Sequence, residues 1–257
     1  MSWTLDFLRE NQPLMSLPSV WRYRDLVLRM SANATRPDAM VRLKLKFPFV
    51  VEVFIREFGT DLTILQEVLF KQVYGDLAKC LTKKPDTIIY LGANIGMATL
   101  YLANQFPKSR ILAVEPEAAN FEMLNRNLQS LIRAGRSVTM RAAVWSEDGE
   151  VDLGSAGEGV FWGFYAKPGG NSLSAVPARS MNSLVRESGF ETVDLVKVDV
   201  EGGEAHMFQG DLGWLDRVRA ISIEFHGESR RASNFDEILT SFEISDLNPH
   251  TTLAVRR

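Results

Sequence analysis

Residues Thr87–Gly96 read TIIYLGANIG, and this stretch decides the fold. Its first half is apolar and rich in β-formers, which is typical of a buried parallel strand. Its second half is a turn that contains Gly92 and Gly96, and the residues that follow it, Met97–Ala103, favour a helix. A strand, a glycine turn and a helix in this order let the backbone approach a nucleotide-like ligand closely.

A second apolar strand follows at 110–114, and it ends at Glu115 and Pro116. An acidic residue about 20 positions after a glycine turn, at the tip of the second strand, suits the hydroxyls of a ribose. Glu115 is therefore predicted to bind a ribose. Asn94, inside the turn, is expected to contact the same ligand or to cap the helix, and both roles are compatible.

The rest of the chain from Pro85 onward alternates strand and helix patterns. Further strands are predicted at 137–144, 193–200 and 219–225, and the tail from 242 to 255 has the pattern of a hairpin. This order predicts an α/β fold with a doubly wound, mostly parallel sheet and an antiparallel C-terminal edge hairpin.

Residues 1–60 are predicted to form an N-terminal α+β extension before a domain of residues 61–257. A helix is expected over 21–30 and a hairpin over 41–56. Its first strand alternates apolar residues with the basic residues Arg42, Lys44 and Lys46. We expect this basic row to be a solvated strand face; an acidic partner is the alternative. Another helix is predicted from Thr60 or Asp61 to about Val73.

Composition sets limits on the class of protein. The chain has 257 residues, 46% of them hydrophobic and 24% charged, which is typical of a globular protein. Its net charge of -3 gives no electrostatic reason to expect nucleic-acid binding. The single cysteine, Cys80, excludes an internal disulfide framework and a cysteine zinc site. No signal peptide and no apolar run of membrane-spanning length are found, so a cytoplasmic protein is expected.

Polar residues are concentrated where the predicted parallel strands end. In doubly wound sheets, ligands bind beyond the carboxyl ends of the strands. The residues at these ends are Asn94, Glu115, Asp199, Glu201, Glu224 and His226. Surface charges scattered at random would not collect in this way, so the pattern predicts a binding site at that edge of the sheet.

Two of these strand ends are expected to carry the catalytic groups. Glu224 and His226 are two residues apart and can face the crevice that Asp199 and Glu201 face from the neighbouring strand. A histidine with its ordinary pKa near 6.5 is suited to take a proton at neutral pH. A nearby carboxylate would orient its ring. Lys197 is expected to pair with Asp199.

Glu204 lies in the first turn of a predicted helix, where a carboxylate is favoured in any case. A catalytic role and a helix-stabilising role therefore both remain open for it. A divalent metal held by carboxylates is an alternative to a protein base. The candidate ligands for it are Asp199, Glu201, Glu204 and Glu224, but their spacing does not require a metal, and none is predicted.

The segment after the third strand is rich in aromatic residues. The base of the nucleotide-like ligand would lie near Ala143 and Trp145, and Trp145 is expected either to stack on it or to be a core aromatic. The Gly- and Ser-rich stretch 154–177 carries the aromatic residues Phe161, Trp162, Phe164 and Tyr165. It is expected to be a loop that covers a ligand pocket or packs against the fold, with neither favoured.

Three segments resemble the signatures of the FkbM-type S-adenosylmethionine-dependent methyltransferases. They are Leu91–Gly96, Ala113–Pro116 and Asp194–Glu204, which reads DLVKVDVEGGE. The resemblance runs from about Asp61 to Gly227. It implies a Rossmann-like fold, S-adenosylmethionine as cofactor, and O-methylation of a small-molecule or sugar-containing acceptor.

Site residues follow from the strand ends and the resemblance together. The cofactor-binding residues are predicted to be Tyr90, Gly92, Ala93, Asn94, Gly96, Glu115, Pro116, Ala143, Trp145 and Asp199. The catalytic residues are predicted to be His226, Asp199, Glu201, Glu204, Glu224 and Lys197.

Two positions depart from the family pattern. Tyr90 and Asn182 stand where the family usually has aspartate, so the negative charge that the family carries at these two positions is missing here. This departure motivates a second hypothesis, a catalytically silent member that binds a ligand or partner. A third is an NAD-dependent oxidoreductase, because Glu115 would also suit that cofactor, although the turn lacks the full G-x-G-x-x-G pattern.

Overall fold

The computed structural model describes residues 14–155, 164–168, 174–249 and 251–257. These residues form two compact units, one ending at Tyr74 and one beginning at Gly75. The division of the sequence after residue 60 stays a prediction.

The first unit begins with the helix α1 (Leu17–Ser31) and the antiparallel strands β1 (Met40–Leu45) and β2 (Val51–Arg56). Exposed and buried residues alternate strictly along β1, as a strand with one solvated face requires. The basic residues Arg42 and Lys44 are on the exposed face.

The next helix is shorter than its pattern predicts. α2 (Asp61–Leu65) continues as the π-helical segment Gln66–Phe70 and stops there, and the side chain of Val73 is exposed. Asp61 accepts hydrogen bonds from the backbone N–H of Arg56 at 2.8 Å and from its guanidinium at 2.6 Å. The wider π turn changes which residues face the core, so the apolar spacing of an α-helix is lost before Val73.

Strands of the second unit follow in chain order. They are β3 (Thr87–Leu91), β4 (Arg110–Val114), β5 (Ser137–Met140), β6 (Ala143–Val144), β7 (Gly149–Ser155), β8 (Phe164–Pro168), β9 (Ala175–Arg179), β10 (Leu195–Val198), β11 (Ala220–Glu224), β12 (Phe242–Asp246) and β13 (Thr251–Arg256). Within the described ranges, a seven-stranded sheet has the order β12-β13-β11-β10-β3-β4-β5.

Neighbouring strands from β11 through β10, β3 and β4 to β5 are parallel, and β12 and β13 form the antiparallel edge hairpin. This confirms the predicted fold class. All residues of β3 and β10 are buried, because strands in the middle of a parallel sheet are covered on both faces. The carboxyl ends of β3, β4, β10 and β11 therefore lie along one edge of the sheet.

Helices connect these strands. They are α3 (Gly75–Cys80), α4 (Met97–Gln105), α5 (Ala118–Asn127), α6 (Gln129–Arg133), α7 (Met181–Glu187), α8 (Glu204–Met207), α9 (Ser229–Ala232) and α10 (Phe235–Ile238). Glu117 caps α5 by accepting hydrogen bonds from the N–H groups of Ala119 and Asn120. Ser180 caps α7 in the same way.

Two sequence expectations about strands were wrong. The strand expected at 137–144 is split, because β5 belongs to the large sheet and β6 to a smaller one with the order β6-β9-β7-β8. The segment 154–177, expected to be a loop, contributes β8 and β9 to that smaller sheet. Phe161 and Trp162 lie outside the described residues, so the covering role of this segment stays a prediction. In the described parts of the chain, no helix combines the length and apolarity needed to span a membrane.

Candidate active site

The glycine turn after β3 brings two strand ends into direct contact. Gly92 has φ of +78°, and a Cβ placed there would lie 1.8 Å from the backbone oxygen of Asp199. Gly96 has φ of +89°, and a Cβ placed there would lie only 3.0 Å from Cδ1 of Leu124 in α5. Both positions therefore require glycine, and Gly92 lets the end of β3 touch the end of β10.

Glu115, at the end of β4, is tied to the glycine turn through the main chain. Its carboxylate accepts one hydrogen bond from the N–H of Asn94 at 2.8 Å and another from the N–H of Glu117 at 3.0 Å. Burial raises the pKa of Glu115 to about 7, against the effect of these two donors. The Asn94 side-chain oxygen accepts from the N–H of Ile95 at 2.7 Å, inside the glycine turn; the N-cap of α4 is Gly96, so Asn94 is not its capping residue.

Three other predicted cofactor residues lie at the same strand ends. Tyr90 is buried in β3, and its ring centroid is 5.9 Å from Nζ of Lys197 on the neighbouring strand. The N–H of Ala93 donates to the carbonyl of Val114. The carbonyl of Pro116 accepts from Arg141. Tyr90 therefore lies inside the sheet beside a buried cation, in the position where the family usually has a carboxylate.

Ala143 and Trp145 pack in the core of the smaller sheet. Trp145 stacks on His206, with ring centroids 3.7 Å apart and planes 24° apart. Sequence reasoning missed His206, because nothing in the spacing along the chain links it to Trp145. The backbone supports this contact: a Cβ on Gly210 would lie 2.0 Å from the oxygen of Ser146. Stacking of Trp145 on an adenine stays a prediction.

Three carboxylates surround the imidazole of His226. Nδ1 of His226 is 2.6 Å from Oε1 of Glu204, Nε2 is 3.5 Å from Oε2 of Glu201, and Nε2 is 3.9 Å from Oδ1 of Asp199. Glu204 is fully buried, whereas the other three side chains are partly exposed. The structure thus brings together four of the residues predicted to be catalytic.

This environment changes the proton affinities of the group. The hydrogen bond to Glu204 raises the pKa of His226 to about 9, although burial opposes the shift. Burial raises the pKa of Asp199 to about 6 and that of Glu201 to about 7. The pKa of His226 is therefore higher than the ordinary value expected from the sequence, because three carboxylates stabilise the imidazolium.

Glu201 reaches this cluster from a turn, not from a strand. The strand predicted over 193–200 ends at Val198, so Asp199 and Glu201 both lie beyond it. Glu201 has φ of +52° and Gly202 has φ of +96°, so both are left-handed. The N–H of Gly202 donates to Oε1 of Glu204 at 3.1 Å.

Lys197 and Glu224 form an ion pair at the base of the cluster. Lys197 is fully buried in β10, and its Nζ donates to Oε1 of Glu224 at 2.7 Å and to the carbonyl of Val198 at 3.2 Å. Glu224, at the end of β11, is thus held by a charge-assisted hydrogen bond. The pair joins the ends of two neighbouring strands.

The same edge of the sheet carries a candidate metal-ligand set. Asp199, Glu201 and His226 each offer one ligand atom, and these atoms lie within 4.8 Å of one another. The sequence suggested a purely carboxylate set that also included Glu204 and Glu224. In the structure, Glu204 binds the far side of the histidine ring and Glu224 binds Lys197.

Comparison with known proteins gives a family. Residues 91–247, more than half of the chain, match the FkbM methyltransferase domain. Methyltransferase sdnD of Sordaria araneosa is 24% identical over 199 residues, covering 62% of this chain and 74% of that protein. The 2-O-methyltransferase NoeI of Sinorhizobium fredii is 25% identical over 212 residues, covering 74% of this chain and 85% of that protein.

A solved structure shares the fold. The crystal structure of Methyltransferase FkbM from Methylobacillus flagellatus KT matches with a TM-score of 0.50 and 15% sequence identity. The match covers 69% of this chain and 45% of that chain. With the family match over residues 91–247, these findings show that the chain belongs to the FkbM family of S-adenosylmethionine-dependent methyltransferases.

Proposed function

We propose that this protein transfers a methyl group from S-adenosylmethionine to a hydroxyl oxygen of a small-molecule or sugar-containing acceptor. The observation that carries the proposal is the cluster of Asp199, Glu201 and His226 at the carboxyl ends of β10 and β11. These are the groups that a hydroxyl acceptor needs for the loss of its proton. The relative named as a 2-O-methyltransferase supports the choice of oxygen.

The residues at the ends of β3 and β4 fit the cofactor. Glu115 accepts hydrogen bonds from two main-chain N–H groups and from the side chain of Asn120, and because a carboxylate has about four acceptor positions it can also accept from a ribose hydroxyl. The close approach of Gly92 to Asp199 and the hydrogen bond from the N–H of Asn94 to Glu115 support the assignment of this carboxylate and the acidic cluster to one crevice. When bound, the cofactor supplies an activated methyl group on a positively charged sulfur.

The acidic cluster has two tasks in this proposal. Its carboxylates, when ionised, stabilise the positive charge that develops on the acceptor oxygen before its proton is lost. Asp199 and Glu201 also offer oxygens that can take the proton of the acceptor hydroxyl, with the imidazole of His226 between them. Glu204 positions His226 through Nδ1, and the buried pair of Lys197 and Glu224 holds the strand ends together.

The test is single-turnover methyl transfer with methyl-labelled S-adenosylmethionine and a panel of hydroxylated acceptors. We expect labelled methyl ethers as products. Asp199→Ala should lower the rate by at least about 100-fold, the usual size of a proton-transfer contribution, and His226→Ala should do the same because its imidazole holds the two carboxylates together. Calorimetry should show that His226→Ala leaves the affinity for S-adenosylhomocysteine nearly unchanged.

Controls separate a catalytic effect from a general one. Glu243→Ala changes an exposed carboxylate of β12 and should leave the rate unchanged. Near-normal rates in both His226→Ala and Asp199→Ala would contradict the proposed roles. Methylation at nitrogen or carbon alone would contradict O-methylation.

A second candidate is a family member that binds the cofactor without transferring the methyl group. Tyr90 favours it, because this uncharged side chain is buried beside Lys197 where the family usually has aspartate. Asn182, the other departure, donates to the carbonyl of Asp211 at 2.9 Å. Turnover on any acceptor would exclude this candidate.

A further inference from the structure

We propose that Asp199, Glu201 and His226 bind one divalent transition-metal ion of the Mn²⁺ or Zn²⁺ class. The binding itself is independent of the proposed function; only the role of the ion, given below, rests on it. In such a site each of the three side chains supplies one ligand atom, a more specific role than that of the proton-accepting cluster described above.

The distances from His226 to the two carboxylates are close to those expected around a shared ion. Two ligands at about 2.1 Å from a metal with tetrahedral angles lie about 3.4 Å apart. Nε2 of His226 is 3.5 Å from Oε2 of Glu201 and 3.9 Å from Oδ1 of Asp199. The first distance already matches this geometry, and the second requires a movement of a few tenths of an ångström, which partly exposed side chains can make.

The histidine is oriented as metal-binding histidines are. A carboxylate usually accepts a hydrogen bond from the ring nitrogen that does not bind the metal, and this fixes the ring and its tautomer. Here Glu204, which is fully buried, binds Nδ1 of His226 at 2.6 Å. Nε2 is therefore the nitrogen that faces Asp199 and Glu201, and the proposed ion would bind it by displacing its proton.

A second observation indicates a missing positive charge. Within the described ranges, Oε2 of Glu204 is buried and has no hydrogen-bond partner. With His226 neutral, as a metal ligand must be, the carboxylates of Asp199, Glu201, Glu204 and Glu224, when ionised, outnumber the cation Lys197 by three. Buried charges require compensation, and a divalent cation supplies two positive charges at this place.

The chemistry of the ligands selects the class of ion. An imidazole with two carboxylates suits Mn²⁺ or Zn²⁺, whereas Ca²⁺ and Mg²⁺ prefer sites made of oxygen alone. With three protein ligands, coordination positions remain for an acceptor hydroxyl. The ion would lower the pKa of that hydroxyl, and a carboxylate oxygen not bound to the ion can receive the proton.

Calorimetric titration of the full-length, chelator-treated protein with MnCl₂, ZnCl₂ and MgCl₂ tests the site directly. No cofactor or acceptor is added, so the readout does not depend on methyl transfer. We expect saturable binding of one Mn²⁺ or Zn²⁺ per chain and much weaker binding of Mg²⁺. Electron paramagnetic resonance of the Mn²⁺ complex should show the same stoichiometry.

Variants identify the ligands. Glu201→Gln and His226→Gln should each lower the affinity by more than about 10-fold. Glu204→Gln should lower it by about 10- to 100-fold although Glu204 is not a ligand, because it orients His226. Glu243→Gln is the control and should bind as the native protein does. Circular dichroism melting of each variant confirms that it is folded.

The outcomes separate this inference from the proposed function. Absence of stoichiometric binding, or equal affinity in the native protein, Glu201→Gln and His226→Gln, would overturn the metal site. Metal binding without any methyl transfer would support the site and count against the proposed function. Undiminished transfer by a protein that binds no metal would support the function and overturn the site.

Discussion

At the scale of single residues, the carboxylates of the crevice are held in two different ways. Glu115 is fixed by main-chain donors on either side of it, so its position depends on the glycine turn and on the start of α5. Asp199 and Glu201 are instead grouped around the side chain of His226. Loss of Glu115 should therefore weaken cofactor binding, and loss of His226 should lower the rate of methyl transfer.

Glu115→Ala should weaken binding of S-adenosylhomocysteine by about 1.5–3 kcal/mol, the value of hydrogen bonds to a charged group. The measurement is calorimetry, with Glu122→Ala, an exposed carboxylate of α5, as the control.

Because burial raises the pKa of Glu115 to about 7, the ionised and stronger acceptor form increases above that pH. The affinity of the native protein should thus rise between about pH 6 and about pH 8, and that of Glu115→Gln should not. An unchanged dissociation constant in folded Glu115→Ala would remove this residue from the cofactor site.

At the scale of secondary-structure elements, the ends of β3 and β10 are locked together by a backbone contact. No side chain fits between Gly92 and the carbonyl of Asp199. The glycine turn, proposed to bind the cofactor, and the acidic cluster, proposed to act on the acceptor, are therefore joined by this backbone contact.

Gly92→Ala should destabilise the protein by more than its backbone conformation alone explains. Gly135 is a matched control, since its φ of +66° is also left-handed and a Cβ there meets nothing within 4 Å. Gly135→Ala should cost about 1–2 kcal/mol from the conformation, and Gly92→Ala should cost a further 1–3 kcal/mol from the clash. Urea unfolding measures both. Equal losses would show that the junction adapts without strain.

The elements that could be predicted from the sequence are those with a clear hydrophobic pattern. β3, β4 and β10 are short apolar runs with turns after them, so their order and burial followed from the residues. β8 and β9 could not be found in the same way, because their stretch is rich in glycine and serine and lacks strict alternation. The π turn after α2 also gives no signal in the sequence.

For the candidate site, the sequence predicted which strand ends carry the residues but not which side chains pair with one another. The sequence predicted that Asp199, Glu201 and His226 lie at one edge of the sheet, because the carboxyl ends of parallel strands meet there. The contact of Glu204 with His226 depends on the left-handed turn after Val198, and the stack of Trp145 on His206 depends on the approach of Gly210 to Ser146. Neither arrangement is encoded in a local spacing.

At the scale of the whole molecule, each compact unit has its own buried charge arrangement. In the first unit, Glu57 is buried and accepts hydrogen bonds from Arg29 at 2.8 Å and from Arg36 at 3.1 Å. The bonds from Arg36 contribute most to lowering the pKa of Glu57 to about 2. Because the folded value is below the ordinary 4.5, the stabilisation is fully present above that pH and is lost as the pH falls towards 2.

Glu57→Gln should lower the free energy of unfolding of the first unit by about 1–3 kcal/mol at neutral pH, because charge-assisted hydrogen bonds are lost. At about pH 3 the difference between this variant and the native protein should shrink, since that pH is below 4.5, where the carboxyl of the unfolded chain is protonated and folding has to release the proton. The control is Glu52→Gln, whose exposed pair with Arg42 should contribute less than about 1 kcal/mol. Urea unfolding at both pH values measures the effect, and a difference that does not change with pH would contradict it.

The left-handed conformation of Glu201 has a consequence for the history of the sequence. A residue with a Cβ costs about 1–2 kcal/mol in this conformation, and glycine avoids that cost. Random mutation followed by selection for stability alone would therefore replace Glu201 with glycine. A lineage that keeps glutamate at this position resists that drift, so the residue found there in each descendant reports whether its carboxylate is still in use.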